Sequence, residues 1–519
     1  MIEILDTTLR DGEQTAGVSF NANEKLTITK ILLEEMHVDR IEVASARVSL
    51  GELDAFAQIC HWAAKHGHLD KIEVLGFVDF GISVDWIADA GGHVMNLLSK
   101  GSLKHVTAQL KKTPDRHIAD IKENIARARQ RGLSVNLYLE DWSNGMLHSP
   151  DYVFHMLDEL RGEPIGRFML PDTLGILTPD NAYEFCHTMV ERFPELRFDF
   201  HAHNDYDMAV ANVFSALKAG MSGIHTTVNG LGERAGNAPL ASVLGLLNDH
   251  LHLPNRLNEK ALTHVSRMVE SLSGIRIPDN KPIVGDSVFT QCSGVHADGD
   301  NKDNLYFNQL LPERFGRVRR YALGKTSGKA NIAKNLEELG IHLTTEQMKR
   351  VTERVIELGD KKENVTTEDL PFIIADVLKS GLSGHGAAEN IHIVNYNLAV
   401  ARGLHPVATL RISINGTEYE ETSAGDGQYD AFMKALWKIY DRLGRSHPRL
   451  VDYKVSIPPG GKTDALVEAF ISWDNDGTEI RTRGLDADQI EAAIKATVKM
   501  LNIIENNFET TIITTDNET

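Results

Sequence analysis

Cysteine is scarce in this chain: Cys60, Cys186 and Cys292 are the only three among 519 residues, far apart and without a CxxC spacing. Such usage excludes a disulfide framework and a cysteine-ligated structural zinc site, and it suits a reducing cytoplasm. Positive charge is also short. Lys and Arg number 54 against 73 Asp and Glu, a formal net charge of −19 at pH 7. A surface of that sign repels phosphate backbones and anionic bilayers, so neither nucleic acid nor a membrane is expected as a partner. No run of about 18 apolar residues occurs. The opening MIEILD leads into strand-like sequence and not into a basic segment followed by an apolar one, so neither a spanning helix nor an export signal is expected. What remains, 42% hydrophobic and 24% charged residues, is the composition of ordinary folded domains, and the length suffices for about two to four of them.

The first 250 residues alternate short apolar or β-branched runs with amphipathic helical stretches. Strands are expected at 3–5, 40–44, 71–76, 94–98, 134–140, 167–170, 197–203 and 223–229, with helical patterns between them. Strict β-then-α alternation implies parallel strands joined by right-handed crossovers. Eight such units predict an α/β fold of the (β/α)₈ TIM-barrel type over 1–253, with an open doubly wound sheet as the alternative. The alternation then stops, and 254–403 reads as helical linker subdomains. Residues 404–510 hold a weak internal repeat, strand, turn, strand and helix at 408–443 and again at 465–501. Two ββα-type units predict one small α/β domain, suited to association or ligand sensing.

Polar residues gather just after the strands, where barrel enzymes place their chemistry. His201 and His203 are two apart in an expected strand, so both side chains leave one face and can converge on a single ion. A structural, hydrogen-bonding pair is the plainer alternative. Arg10 and Asp11 follow the first strand and face the histidines across a closed barrel mouth. A carboxylate, two imidazoles and an amide oxygen suit a divalent Zn, Mn, Co or Mg ion, without choosing among them. Glu140 shares a strand face with Tyr138 and Asn136, so all three should point into the lumen. It is either an ion-pair partner for Arg10 or an acid/base group. The run from Asn229 to Asn237 has three glycines in nine residues and is either a ligand-wrapping loop or a plain connection.

Four motifs occur in order: Leu5–Gln14 (LDTTLRDGEQ), the HxH, GERAGN ending at Asn237, and SGVHADG at 293–299. Together they resemble the 2-isopropylmalate, homocitrate and citramalate synthase family, acyl-CoA Claisen condensation enzymes of the DRE-TIM metallolyase group. The resemblance extends over essentially the whole chain. It implies that Asp11, His201, His203 and Asn237 hold the metal, that acetyl-CoA is the co-substrate and that a 2-oxo acid is the acceptor. It makes Arg10 the cation that meets developing negative charge. Proton transfers fall to His296, Glu140 and Tyr306, with either Glu140 or His296 as base, and in the family the histidine-bearing loop reaches the partner subunit's barrel mouth. The acceptor pocket maps to Leu75, Leu98 and Tyr138, beside Arg10 and Thr173, and acetyl-CoA to Gln14, Phe77 and Glu140. Bulky pocket residues favour pyruvate over a branched acceptor.

The same resemblance implies a homodimer with end-product inhibition, isoleucine being the expected effector. Tyr429, Asp430, Leu450, Tyr453, Ile457 and Val467 are the expected effector site, and a purely structural role in the small domain's core is their plainer reading. A 2-oxoisovalerate acceptor, an acyl-CoA lyase on a related barrel and a non-enzymatic amino-acid sensor are the alternatives for the chain as a whole.

Overall fold

The structure, a computed structural model, describes residues 2–300, 302–360, 365–379, 391–456 and 467–505. Eight strands close a parallel barrel: β1 (Glu3–Asp6), β2 (Arg40–Ser45), β3 (Ile72–Phe77), β4 (Val94–Lys100), β5 (Ser134–Glu140), β6 (Ile165–Asp172), β7 (Phe198–Ala202) and β8 (Gly223–Thr226). Closure is direct, with β1 paired to both β2 and β8. All eight lie where the apolar runs place them. Helix starts are equally local in origin. Thr113 and Thr178 each accept a backbone N–H three residues on, and each precedes a proline in the first turn.

The period of two within each strand sorts apolar from polar residues. Ile41, Val43, Val74, Leu97, Leu137 and Phe200 face the helices and are fully buried. Their alternates line the lumen and are largely polar. On the lower floor Arg40 donates to Glu73 at 2.9 Å and to Asp199 at 2.5 Å, while Arg167 donates to Asp199 at 2.9 Å and pairs with Glu3. Buried charge is tolerated only when paired, and breaking one member is strongly destabilising. The floor is therefore a rigid, charge-neutralised base under the mouth.

The barrel's apolar cluster does not end at 253. Leu262, Val265 and Val269 on the helix Leu262–Ser273, together with Ile283 and Phe289, belong to it. The compact division accordingly falls at Phe289, with Phe307–Arg319 also on the barrel side. Beside the expected boundary at 253, buried apolar side chains tie the following helix to the barrel.

The second unit comprises Thr290–Tyr306 and Arg320–Thr519. Two short paired strands, β9 (Thr290–Gln291) and β10 (Arg320–Tyr321), lie beside helices Lys329–Glu338 and Thr345–Asp360, which share a core of Ile332, Leu336, Val351 and Val355. Then come two copies of one motif. The first is β11 (Ile391–Ala399), β12 (Val407–Ile414), β13 (Thr417–Ala424) and the helix Gln428–Arg442. The second is β14 (Arg449–Ser456), β15 (Val467–Asn475), β16 (Thr478–Asp486) and the helix Gln489–Glu505. Each sheet is antiparallel and three-stranded, and both copies share one apolar core. The repeat is thus βββα and not ββα, and β11 begins before the expected boundary at 403. Asn502 clamps β11 by bonding both the amide and the carbonyl of Ile391. Among the described residues, no helix is long and apolar enough to cross a membrane.

Candidate metal centre and active site

The mouth is organised around Asp11, which follows β1 and caps the start of the 3₁₀ turn Gly12–Gln14. His201 on β7 and His203 just beyond it turn their Nε2 atoms towards the same carboxylate oxygen, at 3.1 and 3.7 Å from Asp11 Oδ2. All three are buried, and one ligand atom from each lies within 4.8 Å of the others. Burial pushes the His201 and His203 imidazoles down, the latter to about 4 with His201 adding to the effect, so both are neutral ligands near pH 7. Burial acts to raise the Asp11 carboxyl, but the Arg10 guanidinium and both imidazoles outweigh it, and the group lies well below the usual carboxylate range. Asn237 sits opposite His203 in a backbone bridge. Asp11 Oδ1 and Asn237 Oδ1 are buried without a hydrogen-bond partner. Two neutral imidazoles, the ionised Asp11 carboxylate with its unpaired Oδ1, and the unpaired amide oxygen of Asn237 form a donor set that suits a divalent cation.

The glycine run places Asn237. Its side-chain amide donates to Leu231 O at 3.1 Å, and Asn229 ties the loop to Ser266 O at 2.9 Å. A Cβ on Gly232, whose φ is +151°, would stand 2.2 Å from Asn237 Nδ2, and one on Gly236, at φ +82°, would stand 1.9 Å from Gly230 O. The glycines therefore serve close packing of the loop upon itself. Arg234 locks the outer turn by donating to Asp205 at 2.7 Å and to Thr173 O at 2.7 Å.

Arg10 is held from two sides. Its Nε donates to Glu42 Oε2 at 2.6 Å, and its Nη1 stands 3.4 Å from Asp11 Oδ2. Burial acts to lower its pKa, but Glu42 and Asp11 outweigh that and keep it a permanent cation. Glu42 also accepts from Asn96 at 2.8 Å, and Asn96 accepts from Asn136 at 3.0 Å. Tyr138 hydroxyl lies 3.4 Å from both Arg10 Nη2 and Glu42 Oε2, and 3.0 Å from His225 Nδ1. Leu5, Leu75, Tyr138 and Met169 pack into one apolar cluster with Leu98 against it, separate from the main core.

Of the expected site residues, the structure brings together Arg10, Asp11, His201, His203, Asn237 and Tyr138, with Leu75 and Leu98 beside them. Glu140 is not the partner of Arg10; its carboxylate pairs with Lys100, the neighbouring lumen position of β4. Thr173 accepts from Asp141 N at 2.9 Å, Phe77 ends β3 half-buried, and Gln14 is exposed. His296 and Tyr306 belong to the second unit, where their rings lie 4.2 Å apart and His296 Nδ1 is 3.2 Å from Gln291 Oε1. The sequence reading missed Glu42, Asn96 and His225. Their signal was a polar residue at the alternate positions of otherwise apolar runs, the same signal that exposed the HxH.

The expected effector residues are only partly assembled. Tyr429 and Tyr453 have rings 5.3 Å apart, and Tyr429 hydroxyl bonds Thr497 at 2.6 Å. Asp430 already accepts from Asp426 N and pairs with Lys434, each at 2.8 Å. Leu450 pairs with Trp473 at one end of the β14–β15 ladder, whereas Val467 begins β15 at the other end. The helix and strand ladder hold these groups apart. Ile457 lies outside the described residues.

Comparison with known proteins gives the chain its relatives. The HMGL-like family model matches residues 1–269, a homocitrate synthase post-HMGL domain-like model matches 283–363, and a LeuA allosteric (dimerisation) domain model matches 364–505. The (R)-citramalate synthase of Methanocaldococcus jannaschii is 34% identical over 512 residues, covering 98% of this chain and 100% of that one. A Methanopyrus kandleri protein described as a probable 2-isopropylmalate synthase is 34% identical over 505 residues, covering 96% and 98%. The solved hydroxymethylglutaryl-CoA lyase of Pseudomonas aeruginosa is similar at 19% identity and a TM-score of 0.45, covering 53% of this chain and 94% of that one. A matched barrel, a matched linker and a matched C-terminal domain, with full-length relatives above 30% identity, establish that the chain belongs to the HMGL-like enzyme family, in the group that carries a LeuA dimerisation domain.

Proposed function

We propose that the protein is an (R)-citramalate synthase, condensing acetyl-CoA with pyruvate and hydrolysing the resulting thioester to give citramalate and free CoA. The observation that carries this reading is the apolar cluster of Leu5, Leu75, Tyr138 and Met169, with Leu98, set beside Arg10 in the lumen. These bulky side chains at the mapped acceptor positions support a small acceptor such as pyruvate over a branched one. Full-length relatives named as (R)-citramalate synthases support the same reading.

Asp11, His201, His203 and Asn237 would hold a divalent ion, which supplies Lewis-acid polarisation of a chelated 2-oxo acid. Arg10 is fixed by Glu42, Asp11 and Tyr138, so its charge is preorganised for the oxygen that becomes negative when the C–C bond forms. Acetyl-CoA loses one methyl proton, its methyl carbon bonds the keto carbon, and the former keto oxygen gains a proton. Water then adds the elements of hydroxide to the acyl carbon and a proton to the departing CoA thiolate. Glu140, held by Lys100, and the His296–Tyr306 pair are the proton-transfer groups of this proposal. The C-terminal repeats are read as a homodimeric regulatory domain that takes isoleucine.

Acceptor choice tests the reading. CoA release from acetyl-CoA should be fastest with pyruvate and much slower with 2-oxobutyrate or 2-oxoisovalerate. In Tyr138→Ala and Leu98→Ala the ratio should move towards the larger acids. A preference for 2-oxoisovalerate in the unmodified protein would instead make it a 2-isopropylmalate synthase.

A further inference from the structure

Behind His201 the lumen continues as a chain of polar contacts that the condensation itself does not use. His201 Nδ1 lies 3.3 Å from His225 Nδ1, and the far nitrogen of that ring, Nε2, lies 3.4 Å from Asp199 Oδ2. Asp199 is in turn fixed by Arg40 at 2.5 Å and Arg167 at 2.9 Å. All of these side chains are buried. Two ring nitrogens facing each other can bond only if one carries a proton and the other does not. The Nε2 contact with Asp199 is an ion-pair distance and not a formed hydrogen bond, but a carboxylate can only accept, so the proton of a neutral His225 belongs on Nε2 and its Nδ1 is the bare acceptor.

One consistent set of donors follows. With a cation bound beside Asp11, His201 carries its proton on Nδ1, donates it to His225 Nδ1, and keeps Nε2 bare as the ligand atom. Tyr138 hydroxyl accepts from Arg10 and lies 3.4 Å from Glu42 and 3.0 Å from His225 Nδ1, so His225 Nδ1 is an acceptor approached by both Tyr138 and His201. From this geometry we infer that His225 is a positioning residue of the metal centre: it fixes the tautomer and ring angle of His201, and Asp199 and its two arginines fix His225. The inference rests on the metal-centre reading above. Partners that accept the outer N–H of a metal-bound histidine set its orientation and its strength as a ligand.

Two substitutions of similar polarity separate this role from simple packing. His225→Asn keeps an acceptor close to where Nδ1 lies, whereas His225→Gln reaches Asp199 but has no acceptor facing His201. Mn²⁺ is titrated into each metal-free protein, with free ion read from its EPR signal and folding checked by circular dichroism. His225→Gln should weaken Mn²⁺ binding roughly 10- to 100-fold, and His225→Asn should stay close to the unmodified protein. Equal losses in both variants, or unchanged binding in His225→Gln, would overturn the inference. His203→Ala is the companion measurement. If it binds Mn²⁺ as the unmodified protein does, the metal-centre reading itself fails; if it loses binding while His225→Gln does not, only the role of His225 fails.

Discussion

Asp6 shows how a single buried group can oppose the fold around it. It closes β1, is fully buried, and accepts from Thr8 N through Oδ1 while Oδ2 has no partner. Burial pushes its carboxyl up from 3.8 to about 7, more than the bonds from Thr8 pull it down. An acid whose folded pKa is raised favours folding fully below the unfolded value and loses that contribution as pH climbs to the folded one. Stability should therefore fall between about pH 4 and pH 7 by an amount that Asp6→Asn does not lose, of order a few kcal/mol. Parallel denaturant titrations at pH 4.5 and pH 7.5 check this. The same slope in both proteins would contradict it. At this scale the sequence was legible where spacing alone decides geometry. The HxH put two imidazoles on one face, and a single aspartate met both. Of the two readings of Glu140, the ion pair with Arg10 is not the one formed: strand parity gives the face but not the neighbour, and Lys100 on the adjacent strand takes the carboxylate.

Among elements, the helix Ala22–Lys30 does more than cover the barrel. Lys25 on it is fully buried and reaches Glu13 and Glu52 at 2.7 Å, the Leu9 carbonyl at 3.2 Å and the Val43 carbonyl at 3.3 Å. It pins the loop carrying Arg10 to the strand carrying Glu42. Lys25→Met would leave Glu52 and Glu13 without their cation, and loss of one member of a buried ion pair costs about 3 to 5 kcal/mol. Urea unfolding should show that loss, together with weaker Mn²⁺ binding through the displaced Asp11; a change under about 1 kcal/mol would contradict the account. The barrel strands were readable because burial on their outer face leaves a clean period of two. β11 and β14 were not. Both are edge strands whose outer positions alternate irregularly between half-buried and exposed, so their pattern resembles that of a loop.

For the whole molecule, two units share one chain: a barrel with the candidate metal centre, and a second unit that carries His296, Tyr306 and the paired βββα repeats. The LeuA dimerisation match in the second supports association, and a dimer mass is expected by light scattering of the intact protein. Feedback requires an effector to favour one conformational state, so removing its site should leave turnover intact and abolish only the response. Tyr429→Ala should keep CoA release with pyruvate and lose inhibition by isoleucine. Inhibition by leucine in place of isoleucine would contradict the regulatory proposal and weaken the acceptor assignment with it. The order of barrel, helical segment and small C-terminal domain was legible from the change in period along the chain, whereas the packing of the helix Leu262–Ser273 onto the barrel was not, because it joins residues distant in sequence.

The most direct measurement is product analysis on the intact, metal-loaded protein given acetyl-CoA and either pyruvate or 2-oxoisovalerate, with chiral chromatography alongside thiol release. The account predicts one CoA released per (R)-citramalate formed from pyruvate, with little 2-isopropylmalate from the branched acid and no turnover after chelation. CoA release that continues without pyruvate, survives chelation, or runs faster with 2-oxoisovalerate would contradict it.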